Sequence, residues 1–135
     1  MIYFLDTNII SYLLKGDEFL KAKIADKLLQ GDKVMISRVA YYEIERGLLA
    51  KGATSKLQRF MSWANLLGTV SLSDETLEIA SKIYADLSQK GLVIEDDDIF
   101  IGATALKHNA ILVTNNENHL GRISGLTIEN WVQPR

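Results

Sequence analysis

Four acidic residues stand where a charge is costly. Asp6, in Leu5-Asp6-Thr7-Asn8, together with Glu43, Asp98 and its neighbour Asp96, sits beside apolar or small residues. A carboxylate taken out of water is strongly destabilised unless a cation, hydrogen bonds or a proton compensates it. Two of them about 4 Å apart repel by about 4 kcal/mol at an effective dielectric near ~20, so a group of three calls for a bound ion. Oxygen-only ligation selects Mg²⁺, with Mn²⁺ as a substitute. Carboxylates holding such an ion suit metal-assisted hydrolysis of a phosphodiester.

Each acid also has a plainer reading. Asp6 stands where a helix would begin, so capping explains it equally well on residue type alone. The run from Glu95 to Asp98 could complement the positive end of a helix, with Asp96 either a cap or a weaker member of the site. Glu43 resists that explanation. Helical spacing puts Val39 and Ala40 one turn before it and Gly47 one turn after, an inward face of small apolar residues. Asp98 shares a stripe with Ile101, Gly102 and Ala105, which implies close approach of another backbone. Asp97, on the Thr104 side, is expected to face solvent, as is Glu45.

The elements that must position these acids follow from periodicity. Ile2 to Leu5 reads as a buried strand, followed by helices through Ile9 to Leu14 and Phe19 to Leu29. A strand at 34–36 ends at Ser37, an N-cap for a helix over 38–51 that carries Glu43. A helix over 55–67 pairs with it as a hairpin. Strand 70–72, a Ser73-capped helix to Gly91, a helix over 96–109, strand 110–113 and an edge strand at 126–128 complete the chain. Strands alternating with helices imply a mostly parallel sheet with helices on both faces. Ligands of such sheets gather at the carboxyl ends of the strands, where Asp6, Ser37 and the segment 114–116 all fall.

The 135 residues suffice for one domain, 1–135, and the only proline, Pro134, marks no internal boundary. With no cysteine and only His108 and His119, thiolate and imidazole-rich metal centres are excluded. A net charge of −2 gives no global field for nucleic acid, which leaves local patches. Arg38, Arg46, Lys15, Lys107 and Arg122 are candidate phosphate contacts, each with surface solvation as the simpler reading. Tyr41 and Tyr42 are expected in the core or a dimer contact, and His119 in a loop without a catalytic role. No apolar run approaches the roughly 18 residues of a membrane span, and no signal segment is visible, so a cytoplasmic protein is expected.

The stretches Leu5-Asp6-Thr7-Asn8-Ile9-Ile10-Ser11, Ser37 through Gly47 around Glu43, Asp98 through Ala105, and Leu112-Val113-Thr114-Asn115-Asn116 with Gly125 through Trp131 come in compatible order. In this the chain resembles the PIN-domain nucleases, and more narrowly the VapC-type toxins of bacterial toxin–antitoxin pairs. The resemblance implies a PIN-like α/β/α sandwich and a homodimer. It implies a Mg²⁺-dependent endoribonuclease with Asp6, Glu43 and Asp98 as catalytic and metal-binding residues. Asn116 stands where many PIN domains carry a fourth acid; its carbonyl can ligate but adds no charge. Thr7, Asn8 and Thr114 are expected to orient the first acid. The implied substrate is a structured RNA, often a transfer RNA cut in the anticodon loop; the late motifs look closest to members cutting initiator tRNA. The implied partner is a VapB-type antitoxin whose tail sets a basic side chain among the acids, and operator DNA is met only through that antitoxin. A PIN-like binding module without catalysis, or a nuclease acting on DNA or ribosomal RNA, are the alternatives.

Overall fold

The apolar run Ile2–Leu5 forms strand β1 and stops where Asp6 introduces a charge; helix α1 (Thr7–Leu14) begins at the next residue. The chain continues as α2 (Glu18–Leu29), β2 (Lys33–Ser37), α3 (Arg38–Ala50), α4 (Thr54–Leu67), β3 (Thr69–Val70) and α5 (Asp74–Gln89). It closes with α6 (Asp96–Lys107), β4 (Ile111–Val113), α7 (Glu117–Leu120) and β5 (Thr127–Glu129). This structure, a computed structural model, describes residues 1–132, so Pro134 lies outside the described residues.

All strand pairs are parallel, in the order β3-β2-β1-β4-β5. The chain first steps from β1 outward to β2 and β3, then returns to lay β4 and β5 on the other side of β1. Right-handed crossovers therefore put the helices of the two halves on opposite faces of the sheet. The direction of winding reverses between β1 and β4, the position at which a crevice opens beyond the carboxyl ends of the strands. A sheet covered on both faces needs strands apolar on both sides. Phe4, Leu5, Ile36, Leu112 and Val113 meet that need at 1% exposure or less.

Local signals set the helix starts. Asp6, Ser37 and Ser73 each accept a backbone N–H from the first turn that follows, offsetting unpaired donors. α4 backs α3, with the Phe60 ring 4.9 Å from that of Tyr41 and tilted against it. α6 is buried on nearly every side from Ile99 to Ala105. The small face at Gly102 is filled by side chains and not by another backbone. A Cβ there would meet Ile123 Cδ1 at 2.5 Å, with Leu126 and Leu120 next. Two elements differ from the sequence reading: β3 is confined to Thr69–Val70, and the stretch after Asn116 contains the short helix α7.

Phe60 is fully buried between α4 and the helix that carries Glu43. Phe60→Ala should lower the unfolding free energy by about 3–5 kcal/mol, read by urea denaturation; a loss below about 1 kcal/mol would mean that α4 does not anchor α3.

Candidate active site

Asp6 leaves β1 at the point where the sheet's winding reverses, and its own N–H still bonds the Val113 carbonyl of β4 at 2.9 Å. Its side chain is 3% exposed yet fully engaged. One carboxylate oxygen accepts the Thr7 N–H at 2.7 Å, and the other accepts the Thr114 hydroxyl at 2.7 Å and the Asn8 amide at 3.5 Å. Thr114 itself accepts the Asn116 N–H at 2.9 Å, which fixes the direction in which its hydroxyl donates. Asn8 is held from beyond by the Asn115 N–H at 3.1 Å, and Asn115 by the Asn130 amide at 3.0 Å. Segment 114–116 and the start of α1 are thus laced together through the first acid.

Glu43 comes from the second turn of α3 and reaches the same rim. Thr7 donates its hydroxyl to Glu43 Oε1 at 2.7 Å, so Thr7 supports two acids, one by its backbone and one by its side chain. Arg46, one turn on, has a guanidinium nitrogen 3.9 Å from Glu43 Oε2. Asp97 is a further neighbour of Glu43, close enough that the two carboxyls shift each other's proton affinity in opposite directions. Asp97, expected to face solvent, is instead half-buried and opens onto the groove beside Glu43. That expectation assumed a solvated side of α6 through Thr104, but Thr104 is 1% exposed and the helix has no such side. Asp96 is exposed at the start of α6, and Glu45 is half-buried with Arg38 at 4.0 Å.

Asp98 faces the rim from the first turn of α6, with Oδ2 3.7 Å from His119 Nδ1. The Asn116 amide nitrogen lies 3.4 Å from the same imidazole nitrogen, so Asn116 and Asp98 meet His119 at one atom. Asn116 is thus connected to Asp98 through His119. The role of His119 as a neighbour of the acids was not legible in the sequence, because it depends on α7 folding back over α6.

Crowding and burial shift all these groups. Burial raises Asp6, opposed by the Thr114 hydroxyl and the Thr7 N–H and assisted by the charge on Asp97. Burial, then the contact with Asp97, raises Glu43 to about 7, while the same contact holds Asp97 below the usual carboxylate range. Burial, then the charges of Asp97 and Asp6, raises Asp98 to about 6, with His119 opposing. Asp6, Glu43, Asp97 and Asp98 form one electrostatic unit that resists full ionisation.

The donor set fits a hard divalent cation in chemistry: every ligand available from these acids and from Asn116 is oxygen. Among the described residues no three acids or histidines converge as a ready-made ligand shell. Mg²⁺ commonly keeps several waters and binds through one or two carboxylates plus substrate phosphate, so the residues fit that mode of binding.

Beside the acids a groove of about 630 Å³ runs between α3 and the start of α6, and both Glu43 and Asp97 open onto it. Of the five basic residues considered as phosphate contacts, Arg38 and Arg46 line this groove. Lys107 is paired with Glu75 at 3.0 Å at the far end of α6 from Asp98. Arg122 donates to the Leu92 carbonyl at 3.3 Å, and Lys15 lies 5.7 Å from the Tyr12 ring. Tyr41 is turned to Phe60, whereas Tyr42 stands 53% exposed on the groove.

The PIN domain family matches residues 3–126. The ribonuclease VapC2 of Rickettsia felis is 32% identical over 97% of this chain and 98% of its own. The tRNA(fMet)-specific endonuclease VapC of Shigella flexneri is 25% identical over 96% of this chain and 97% of its own. Among solved structures, that of VapBC2 from Rickettsia felis bound to a DNA fragment from their promoter aligns with a TM-score of 0.87 at 31% identity. It covers 98% of this chain and all of that one.

Two outcomes follow from the site's geometry. Thr114→Val removes a donor to a buried carboxylate and should cost about 1–3 kcal/mol, with Thr114→Ser restoring most of it; equal stability of Val and Ser variants would refute the role of the hydroxyl. Glu43 and Asp98 are raised in the folded state, so it binds more protons than the unfolded chain. Their contribution is present at low pH and lost as pH climbs through about 6 to about 7. In EDTA, Glu43→Gln should therefore gain stability relative to wild type on going from about pH 5 to about pH 8. A pH-independent difference between the two melting curves would contradict the assignment.

Proposed function

We propose, from the premise that this chain belongs to the PIN-domain family and to its VapC ribonucleases, that it is the endoribonuclease toxin of a toxin–antitoxin pair. One observation carries this reading beyond the family name. Carboxylates from the end of β1, from α3 and from the start of α6 crowd a single rim and raise one another's proton affinity. Such a centre is suited to a cation.

Asp6, Glu43 and Asp98 are the residues that would hold Mg²⁺ or Mn²⁺, with the Asn116 carbonyl as an uncharged fourth donor. When bound, such a cation supplies Lewis acidity, making a water more acidic and shielding the charge of a phosphodiester. The chain's own part is preorganisation. Thr114 and the Thr7 N–H hold the Asp6 carboxylate, the Thr7 hydroxyl holds Glu43, and Asn8 joins the Asp6 side to segment 114–116. To ligate a cation Glu43 would have to be ionised, and the Thr7 hydroxyl with Arg46 would then hold its carboxylate. With neutral Asn at 116, these acids would hold one ion without RNA, and a second only with oxygens from the RNA phosphate.

The substrate in this reading is a structured RNA, most simply a transfer RNA cut in its anticodon loop. The name of the Shigella flexneri relative supports initiator tRNA within that class. The partner is a VapB-type antitoxin, supported by the Rickettsia felis VapBC2 structure, and the acidic rim is complementary to a basic side chain from its tail. The toxin works as a homodimer in the cytoplasm.

Thermal unfolding with millimolar Mg²⁺ or Mn²⁺ should raise the wild-type midpoint, since a ligand at 100 times its Kd adds about 2.7 kcal/mol to the folded state. Asp98→Asn should lose most of that rise. It should also reduce RNA cleavage by more than the about 10–100-fold typical of a lost supporting group, measured by sequencing new 5′ ends after incubation with total RNA. An unmoved midpoint together with uncut RNA would end the nuclease reading.

A further inference from the structure

We propose that the groove between α3 and the start of α6 seats a nucleotide flanking the cut. Its base stacks on Tyr42, with Phe100 in the wall, and its phosphates lie against Arg38 and Arg46. This deepens the RNA-cleavage reading and rests on it. The groove opens directly from the acids, because Glu43 and Asp97 form one end of its lining, and its volume of about 630 Å³ falls within the range of small-ligand sites. An RNA strand whose phosphodiester lies at the carboxylates must continue past them, and this groove is continuous with that position.

The walls differ in charge. α3 supplies Arg38 and Arg46, their side chains 49% and 59% exposed and only loosely paired with Glu45 and Glu43 at 4.0 and 3.9 Å, and the opposite wall supplies Glu95 and Asp96. That polarity orients a nucleotide, with phosphate toward α3 and the amino-bearing edge of a base toward the acids. The aromatic surface is already paired with cations: Arg46 lies 5.1 Å from the Tyr42 ring centroid and Arg38 4.2 Å from that of Tyr41. Tyr41 is committed to Phe60, but Tyr42 presents an exposed ring to the groove. Aromatic platforms with adjacent guanidinium groups are how unpaired bases of RNA loops are held, through stacking and cation–π attraction. A protein occupant is the competing possibility; the guanidinium wall leading into a phosphodiester-cutting site favours a nucleic acid.

The test is fluorescence anisotropy with a labelled single-stranded RNA, in the Asp98→Asn background so that the probe stays intact. Tyr42→Ala should weaken binding by about tenfold or more, and Tyr42→Phe should retain it. An RNA with one abasic residue beside the cut should bind the Tyr42 protein more weakly than intact RNA but the Tyr42→Ala protein equally well. If RNA binds and all three proteins bind it alike, the base platform is overturned while RNA cleavage stands. If no RNA binds, both fall. If Tyr42→Ala instead dissociates a dimer in sedimentation without weakening RNA binding, the groove is a contact between copies and the proposal is overturned.

Discussion

A carboxylate almost without solvent contact must be compensated on the spot, and the compensation of Asp6 organises the carboxyl rim of this sheet. Its backbone extends the pairing of β1 with β4, and its side chain caps α1 through the Thr7 N–H. The Thr114 hydroxyl ties it to the strand end on the far side of the winding reversal. Each hydrogen bond offsets part of the burial cost, yet the pKa of Asp6 remains raised, so burial outweighs them. The strand order explains the placement. The reversal of winding between β1 and β4 puts Asp6 where the crevice of such a sheet opens.

Around that point the other acids are arranged as a coupled set. Glu43 and Asp97 face each other where α3 meets α6, and their interaction raises the proton affinity of Glu43 while lowering that of Asp97. Asp98 is raised first by burial and then by the charges of Asp97 and Asp6, and is moderated by His119. The unit balances burial against hydrogen bonding, and a cation or a basic side chain placed there relieves the same strain.

Much of the fold was legible. The alternation of apolar runs with amphipathic stretches, and caps at Ser37 and Ser73, located the major strands and helices because those signals are local. The helical face of Glu43 was likewise readable: Ala40, one turn before it, is fully buried, as its spacing indicated. The reading failed where a helix has no polar side. α6 is surrounded by α5, α3, β4 and α7, so Asp97 is half-buried beside Glu43 and not simply turned to solvent as its angular position suggested. Gly102 was read correctly as a place of close approach, but the group that approaches is Ile123, from a loop whose path the sequence does not display.

The sequence by itself determined the identities and order of the charged groups, the absence of sulfur ligands, and the strand–helix rhythm that puts Asp6, Ser37 and Thr114 at strand ends. These are properties of residue type and short-range spacing. The tertiary structure decided which of the adjacent acids 96, 97 and 98 turn inward and that Thr7 serves both Asp6 and Glu43. It also decided that His119 reaches Asp98 and that Tyr42, unlike Tyr41, faces the groove beside the acids. Those facts depend on the angle between α3 and α6 and on the fold-back of α7, long-range packing relations that no local pattern encodes.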